Sequence, residues 1–186
     1  MGTRQRLITT ASELLAEEGV GAVTLRGIAK AAGVSHGAPL RHFSGRAELL
    51  SAVATQGFTE LLDRRKRLPD GSPREQLTAA CHSYVDFAVG HPAMFELMFR
   101  RDLIDPDEPA LAAVSSAVFD EFAVLVAAVD GHGGTDPRLV AASLWAALHG
   151  LAQLWLWGGL AGASFAPSPE SALAVTLDAY LGQETR

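Results

Sequence analysis

The sequence predicts an all-α fold, and three observations carry that reading. Ala and Leu dominate the 48% of residues that are apolar, while the Val/Ile/Thr alternation of strands is scarce. Apolar side chains recur at i, i+3, i+4 and i+7, the period of a helix with one buried face. Clusters of Gly, Pro and Asp punctuate these runs at helical intervals. At 186 residues the chain can bury a sizeable core in one or two domains.

A helix over about 3–18 opens the chain, with Leu7, Ile8, Ala11, Leu14 and Leu15 as its buried stripe and Gly19 to end it. Residues 24–43 read as two short helices around a tight turn. Leu25, Ile28, Ala29 and Ala32 form one apolar face behind Thr24, a residue type suited to the N-cap. Gly33 is the type best able to take a left-handed turn, and Val34 is placed to plug the space between the helices. Ser35 is placed to cap the second helix, where Pro39 costs little if it falls near the first turn. Phe43 reads as an aromatic anchor, and Ser44 as the N-cap of a long helix over about 45–67.

The cluster Pro69-Asp70-Gly71-Ser72-Pro73 is the natural boundary. Beyond it a helix over about 73–89 stops at Gly90-His91-Pro92, and a short one over 92–101 carries Phe95, Met98 and Phe99. After a loop over 103–109, a helix covers about 110–129 and breaks at residues 130–134. Asp136 caps the next helix with Pro137 at its first position, and it runs to about Trp157. Gly158-Gly159 and Pro167 interrupt the chain before a last helix over 169–181. The division is thus a three-helix N-terminal head over 1–45, a connecting helix over 46–68 and a C-terminal helical domain over 69–186.

Two short helices at this spacing form a helix-turn-helix, which offers its second helix to the major groove of DNA. The formal charge of −6 argues against a polyanionic partner until its distribution is read. Residues 1–68 hold ten Lys/Arg and six Asp/Glu, a net of +4, whereas residues 69–186 hold five and fifteen, a net of −10. The basic excess sits with the helix-turn-helix, as a phosphate backbone requires. Thr24 and Arg26 begin the first helix of the motif and Arg46 begins the connecting helix, so helix dipole and side chain act together on an anion. Read blandly, they are a cap and solvated arginines. Ser35, His36, Gly37 and Arg41 are the candidates for base readout; Arg41 can pair bidentately with guanine and Gly37 permits close backbone approach. Lys30 and the run Arg64-Arg65-Lys66-Arg67 read as solvated faces.

Residues 5–55 closely resemble the TetR family of bacterial transcriptional regulators. The resemblance rests on Ala11, Leu14, Leu15 and Gly19, on Thr24-Leu25-Arg26-Gly27-Ile28-Ala29, and on Ala32-Gly33-Val34-Ser35. Arg41-His42-Phe43, Ser44-Gly45-Arg46 and Glu48-Leu49-Leu50 complete it. It implies a homodimer, usually a repressor, that leaves a double-stranded DNA operator when a small-molecule effector occupies the C-terminal ligand-binding and dimerisation domain. His42 resembles the family's phosphate-contacting position, with a helix-capping role as the alternative. Leu40 departs from the family, which commonly places a phosphate-contacting tyrosine there; that contact is absent here or supplied elsewhere. Ala147-Leu148-His149-Gly150 looks like a Trp/His/Gly-bearing subgroup of the family's ligand domains. The family pairs its last two long helices across a two-fold axis, and Leu139, Ala142, Ala146, Leu148, Gly150, Leu151 and Trp155 are compatible with that.

In the C-terminal domain Tyr84, Phe87, Phe95, Phe99, Phe119, Phe122, Trp145 and His149, with Met98, could line an apolar effector cavity or form ordinary core. Trp145 and His149 stand four apart on one helical face, which makes His149 a possible polar anchor or a satisfied core histidine. Cys81 reads as a small buried thiol. His82 and Asp86 also stand four apart, but no His/Asp/Glu grouping has convincing metal spacing, and no cofactor is implied. No nucleophile–base–acid grouping or phosphate loop points to an enzyme; turnover of an apolar ligand would reveal one. A constitutive DNA-binding protein without effector is the other alternative. The apolar stretch over 139–166 is interrupted by Ser143, His149, Gln153 and several glycines, so no membrane span or signal peptide is expected and the location is cytoplasmic.

Overall fold

A computed structural model describes residues 2–130, 133–164 and 167–182, and the described residues are helical with no strand. Gly131 and His132, within the expected break at 130–134, lie outside them. The helices are α1 (Thr3–Glu18), α2 (Leu25–Ala31), α3 (Arg46–Lys66), α4 (Pro73–Gly90), α5 (Pro92–Met98), α6 (Pro109–Ala127), α7 (Pro137–Leu156), α8 (Gly159–Ser164) and α9 (Pro169–Leu181). Between α2 and α3 the chain makes one 3-10 turn, Pro39–Arg41.

The chain divides into two compact units, Met1–Glu60 with His91–Ser116, and Leu61–Gly90 with Ala117–Arg186. These units cut the chain differently from the sequence division at 45 and 68. The reason is α5, which packs with the N-terminal helices rather than with the helix before it. In the first unit Phe99 stands edge-on to Phe58 at 5.7 Å and to Phe95 at 5.3 Å, a preferred arrangement of aromatic quadrupoles. Gly57 of α3 leaves space that Met94 and Met98 fill; a Cβ there would stand 2.5 Å from the Met98 sulfur. Leu7, Ala11, Leu15, Ile28, Phe43 and Leu49 complete this core. Ser51 is buried in it and accepts from the Asp105 N–H at 2.9 Å, tying the loop before α6 to α3.

In the second unit α7 packs on α4, α8 and α9, and α4 also meets α9. Leu77, Cys81, Phe87, Leu144, Leu148, Leu173 and Leu177 form its core. Burial pushes the Cys81 thiol up to about 12, so it stays protonated and unreactive. Asp136 caps α7 by accepting from the Arg138 N–H at 2.8 Å. Arg74 donates to the carbonyls of Leu181 and Gly182, satisfying the end of α9 from the start of α4. α6 and α7 are long and apolar enough to cross a membrane by length and composition alone, with mean hydropathies of 1.8 and 1.5.

Candidate functional site

The sequence folds α2 by satisfying both of its ends. Thr24 is extended and its Oγ1 accepts from the Gly27 N–H at 3.0 Å, one of the four donors a helix N-terminus leaves open. A Cβ on Gly27 would stand 2.9 Å from that Oγ1, so glycine keeps the cap close. At the other end Gly33 turns left-handed, with φ +66°. Its N–H donates to Lys30 at 3.2 Å and the Val34 N–H donates to Ala29 at 3.0 Å, the paired bonds of a Schellman cap. The half-buried Val34 then leads the chain out of the turn.

Here the structure corrects the sequence reading. Residues 35–43 form no α-helix; the second member of the motif is the 3-10 turn Pro39–Arg41. For a helix capped at Ser35, Pro39 is the fourth residue, whose N–H would have donated to the Ser35 carbonyl. Proline has none. The Ser35 carbonyl accepts instead from Ala38 at 2.9 Å, and Arg41 and His42 donate three residues back. No side-chain cap bond starts this turn. Pro39 and Phe43 are buried, while Ser35, His36, Gly37, Leu40 and Arg41 are exposed and His42 is half-buried. The candidate base-reading residues Ser35, His36, Gly37 and Arg41 are therefore all exposed. Thr24 and Arg26 are exposed as well, at the start of α2.

Arg46 has a different setting from the one expected. Its Nε donates to the Val23 carbonyl at 2.6 Å and an Nη to the Val20 carbonyl at 2.5 Å, so the guanidinium braces the loop between α1 and α2. No local pattern announces this; the acceptors lie 23 and 26 residues away. Beside it, Glu48 accepts from the Ser44 N–H at 2.7 Å, and these Ser44 bonds hold its carboxyl below the usual range. Arg4 stands over the Phe43 ring at 5.2 Å, and Arg6 donates to the Ala32 carbonyl at 2.9 Å.

The expected cavity residues divide between the units. Phe95 and Phe99 belong to the first, in the aromatic core with Phe58. Tyr84, Phe87, Phe119, Phe122, Trp145 and His149 belong to the second. Within it the Trp145 Nε1–H donates to the Tyr84 oxygen at 3.1 Å, and that phenol meets His149 Nδ1 at 3.0 Å. The phenol donates to Nδ1 in the neutral ring protonated at Nε2 and accepts from it in the other tautomer, so the contact is a hydrogen bond in both. Burial holds the His149 pKa below its ordinary value and pushes that of Tyr84 up. Phe119 stands edge-on to Trp145 at 6.0 Å, and the Arg138 guanidinium lies 5.2 Å over the Phe119 ring. Tyr84 is thus the hub of the polar group, which sequence spacing could not reveal because its partners lie 61 and 65 residues away. His82 and Asp86 line a separate open groove of about 510 Å³ with Glu75, Thr78 and Ser83.

The face of α7 open to solvent also differs from the expected dimer set. Leu148 and Leu151 are buried within the unit, whereas Leu139, Ser143, Ala146, Leu154 and Trp157 are exposed. Successive members of this second set lie three, four or eight apart, so they form one stripe. Ser143 hydrogen-bonds the Tyr180 hydroxyl of α9 at 2.8 Å, joining the two helices beside it.

Comparison with known proteins places these features in a family. Residues 7–53 match the bacterial regulatory proteins of the tetR family, and residues 77–180 match the tetracyclin repressor-like C-terminal domain, which includes α6 and α7. The HTH-type transcriptional activator FasR of Mycolicibacterium smegmatis is 29% identical over 163 residues, covering 82% of this chain and 72% of its own. A protein of unknown function from Rhodococcus sp. RHA1 superposes with a TM-score of 0.82 at 28% identity, covering 98% of this chain and 97% of its own. The multidrug binding protein EbrR, solved in complex with imidazole, shares the fold with a TM-score of 0.62 at 23% identity, covering 100% and 98%. With both of its domains matched, this chain belongs to the TetR family and is a DNA-binding transcriptional regulator.

Proposed function

We propose that the protein is a homodimeric repressor that a small molecule releases from its operator. The carrying observation is the exposed set Ser35, His36, Gly37 and Arg41 on a turn fixed from below by Pro39 and Phe43. Arg41 reads a guanine from this surface, while Thr24, Arg26 and His42 meet phosphates. Arg46 serves the same contact through the loop it braces, with its remaining donors as the direct alternative. Two such turns enter successive major grooves only if they stand roughly 34–36 Å apart or a multiple of it.

The stripe on α7 supports the dimer. Leu139 and Trp157 are 65% and 75% exposed in the single chain, and Val175 of α9 is 71% exposed. A second copy covering these faces would bury them, whereas the single chain buries only Ala141, Leu144, Leu148, Leu151 and Ala152 of α7.

The effector site is built around Tyr84, Trp145 and His149, with Phe87, Phe119 and Phe122 supplying apolar area. Its occupation alters the spacing of the two heads, and a coupling of about 1–3 kcal/mol would change operator affinity about 5–150-fold. FasR is named an activator, so activation is the second reading of the sign.

Selection of bound sites from random DNA tests the core of this reading; a two-fold symmetric site is expected, and failure to enrich any sequence would refute it. Thermal-shift screening then seeks effectors, since a ligand at 100 times its Kd adds about 2.7 kcal/mol. For a ligand so found, His149→Ala should leave operator affinity nearly unchanged and weaken release by about 1–3 kcal/mol. Loss of dimerisation or folding in that variant would make His149 structural instead.

A further inference from the structure

Leu40 is 61% exposed, the one large apolar side chain so open among the described residues of the first unit. A single exposed leucine is ordinary on a protein surface. Its surroundings are what give this one meaning. It sits between buried Pro39 and exposed Arg41, and the other exposed residues of the turn are Ser35, His36 and Gly37. These are hydrogen-bonding or contact-permitting groups, and Leu40 interrupts them with four carbons and no donor or acceptor. The 3-10 geometry holds it there: Arg41 donates to Ala38 at 3.2 Å and His42 to Pro39 at 2.9 Å, so the backbone on both sides is fixed.

We propose that Leu40 is a specificity-determining residue that packs against the C5-methyl group of a thymine in the major groove. This rests on the reading of the turn as the base-facing element. Within a major groove the one apolar feature of the base edges is that methyl group, and aliphatic side chains are its complement. A phosphate cannot be the partner, because Leu40 has nothing to donate. Arg41, next in the chain, is suited to the adjacent guanine, so the pair would read neighbouring positions through opposite chemistries, one apolar and one charged. A protein partner fits less well: exposed Arg41 follows Leu40 directly, and the preceding helix of the motif adds exposed Arg26 and Lys30 to the same basic segment.

The test uses the full chain and the site selected from random DNA. Each thymine is replaced in turn by deoxyuridine, which deletes the methyl group and leaves every hydrogen-bonding edge intact. The wild-type protein should lose about fourfold in affinity at one thymine per half-site, the worth of one methyl group removed from water. Leu40→Ala, present in both protomers, should lose about that factor for each half-site on the thymine site and show no further loss on the uridine site. Leu40→Gln, of nearly the same length, should behave likewise, which separates apolar contact from reach. Because Leu40 is exposed, both variants should keep the wild-type melting temperature, and a variant that did not would be replaced in the comparison by the other. Equal binding of all uridine-substituted sites by the wild type overturns the assignment, as does a thymine preference that survives in both variants. Selection that enriches no site at all defeats the DNA reading itself, a result distinct from uniform binding across substituted sites.

Discussion

The two units treat their surfaces in opposite ways. Among its described residues the first leaves one large apolar side chain, Leu40, exposed, and it turns outward a set of polar and basic groups. The second leaves Val89, Val124, Leu139, Leu154, Trp157 and Val175 open. The first is therefore complete as a folded body and has an open side suited to a polyanion. The second has apolar surface in excess of what one copy can cover. On the proposed reading DNA contact belongs to one and self-association to the other, and the difference follows from which residues each leaves in water.

The largest expected effect comes from attacking the second surface. Leu139→Glu with Leu154→Glu should convert the dimer to a monomer, measured by sedimentation. Losing the second head should lower affinity for a full operator by about 10²–10⁴-fold, to that of a half-site. A dimer that persists would move the interface elsewhere and remove the contrast between the units. Within the first unit, Arg46→Ala should cost about 1.5–3 kcal/mol of stability, because two carbonyls lose a charged donor. Urea titration measures this, and the salt slope of DNA binding should stay unchanged. A slope shallower by about one unit with stability intact would make Arg46 a phosphate ligand. Arg41→Ala sits on the open surface and should leave stability alone. It should cost about 1–3 kcal/mol at one base position and relax preference there, read by comparing cognate and scrambled DNA. Equal loss on both would assign Arg41 to the backbone.

These contrasts also explain what the sequence made legible. α1, α2 and the turn at Gly33 were readable because local rules decide them: Thr24 and Gly27 three apart, Gly33 one past Ala32, Leu7 to Leu15 at helical spacing. The same local logic misjudged residues 35–43, where Ser35 suggested a cap but the missing N–H of Pro39 prevailed. Arg46 and Tyr84 were opaque for another reason. Their partners lie more than 20 residues off, and only the assembled fold brings Val20, Val23, Trp145 or His149 within reach. Phe95 and Phe99 show the same limit, since an aromatic residue at helical spacing does not say which core it will join. Their place in the first unit goes with α5, which packs closely on Gly57 through Met94 and Met98.

The smallest expected effect sharpens the second unit's polar group. His149 Nδ1 lies 3.0 Å from the Tyr84 phenol oxygen, and burial depresses the ring's pKa below the ordinary 6.5. The unfolded chain therefore takes up a proton on this ring more readily than the folded one. The contribution of neutral His149 to stability is full above the ordinary value and is lost as pH falls through the depressed one. Between about pH 7 and about pH 5 the wild type should lose more stability than His149→Gln, whose amide oxygen can accept from Tyr84 without titrating. Because the ring is only partly buried, the difference should correspond to well under one proton. Parallel stability curves for the two proteins would mean that His149 is as easily protonated in the folded chain as in the unfolded one. The ring would then be open to water, and the Tyr84–His149 contact would not restrain it.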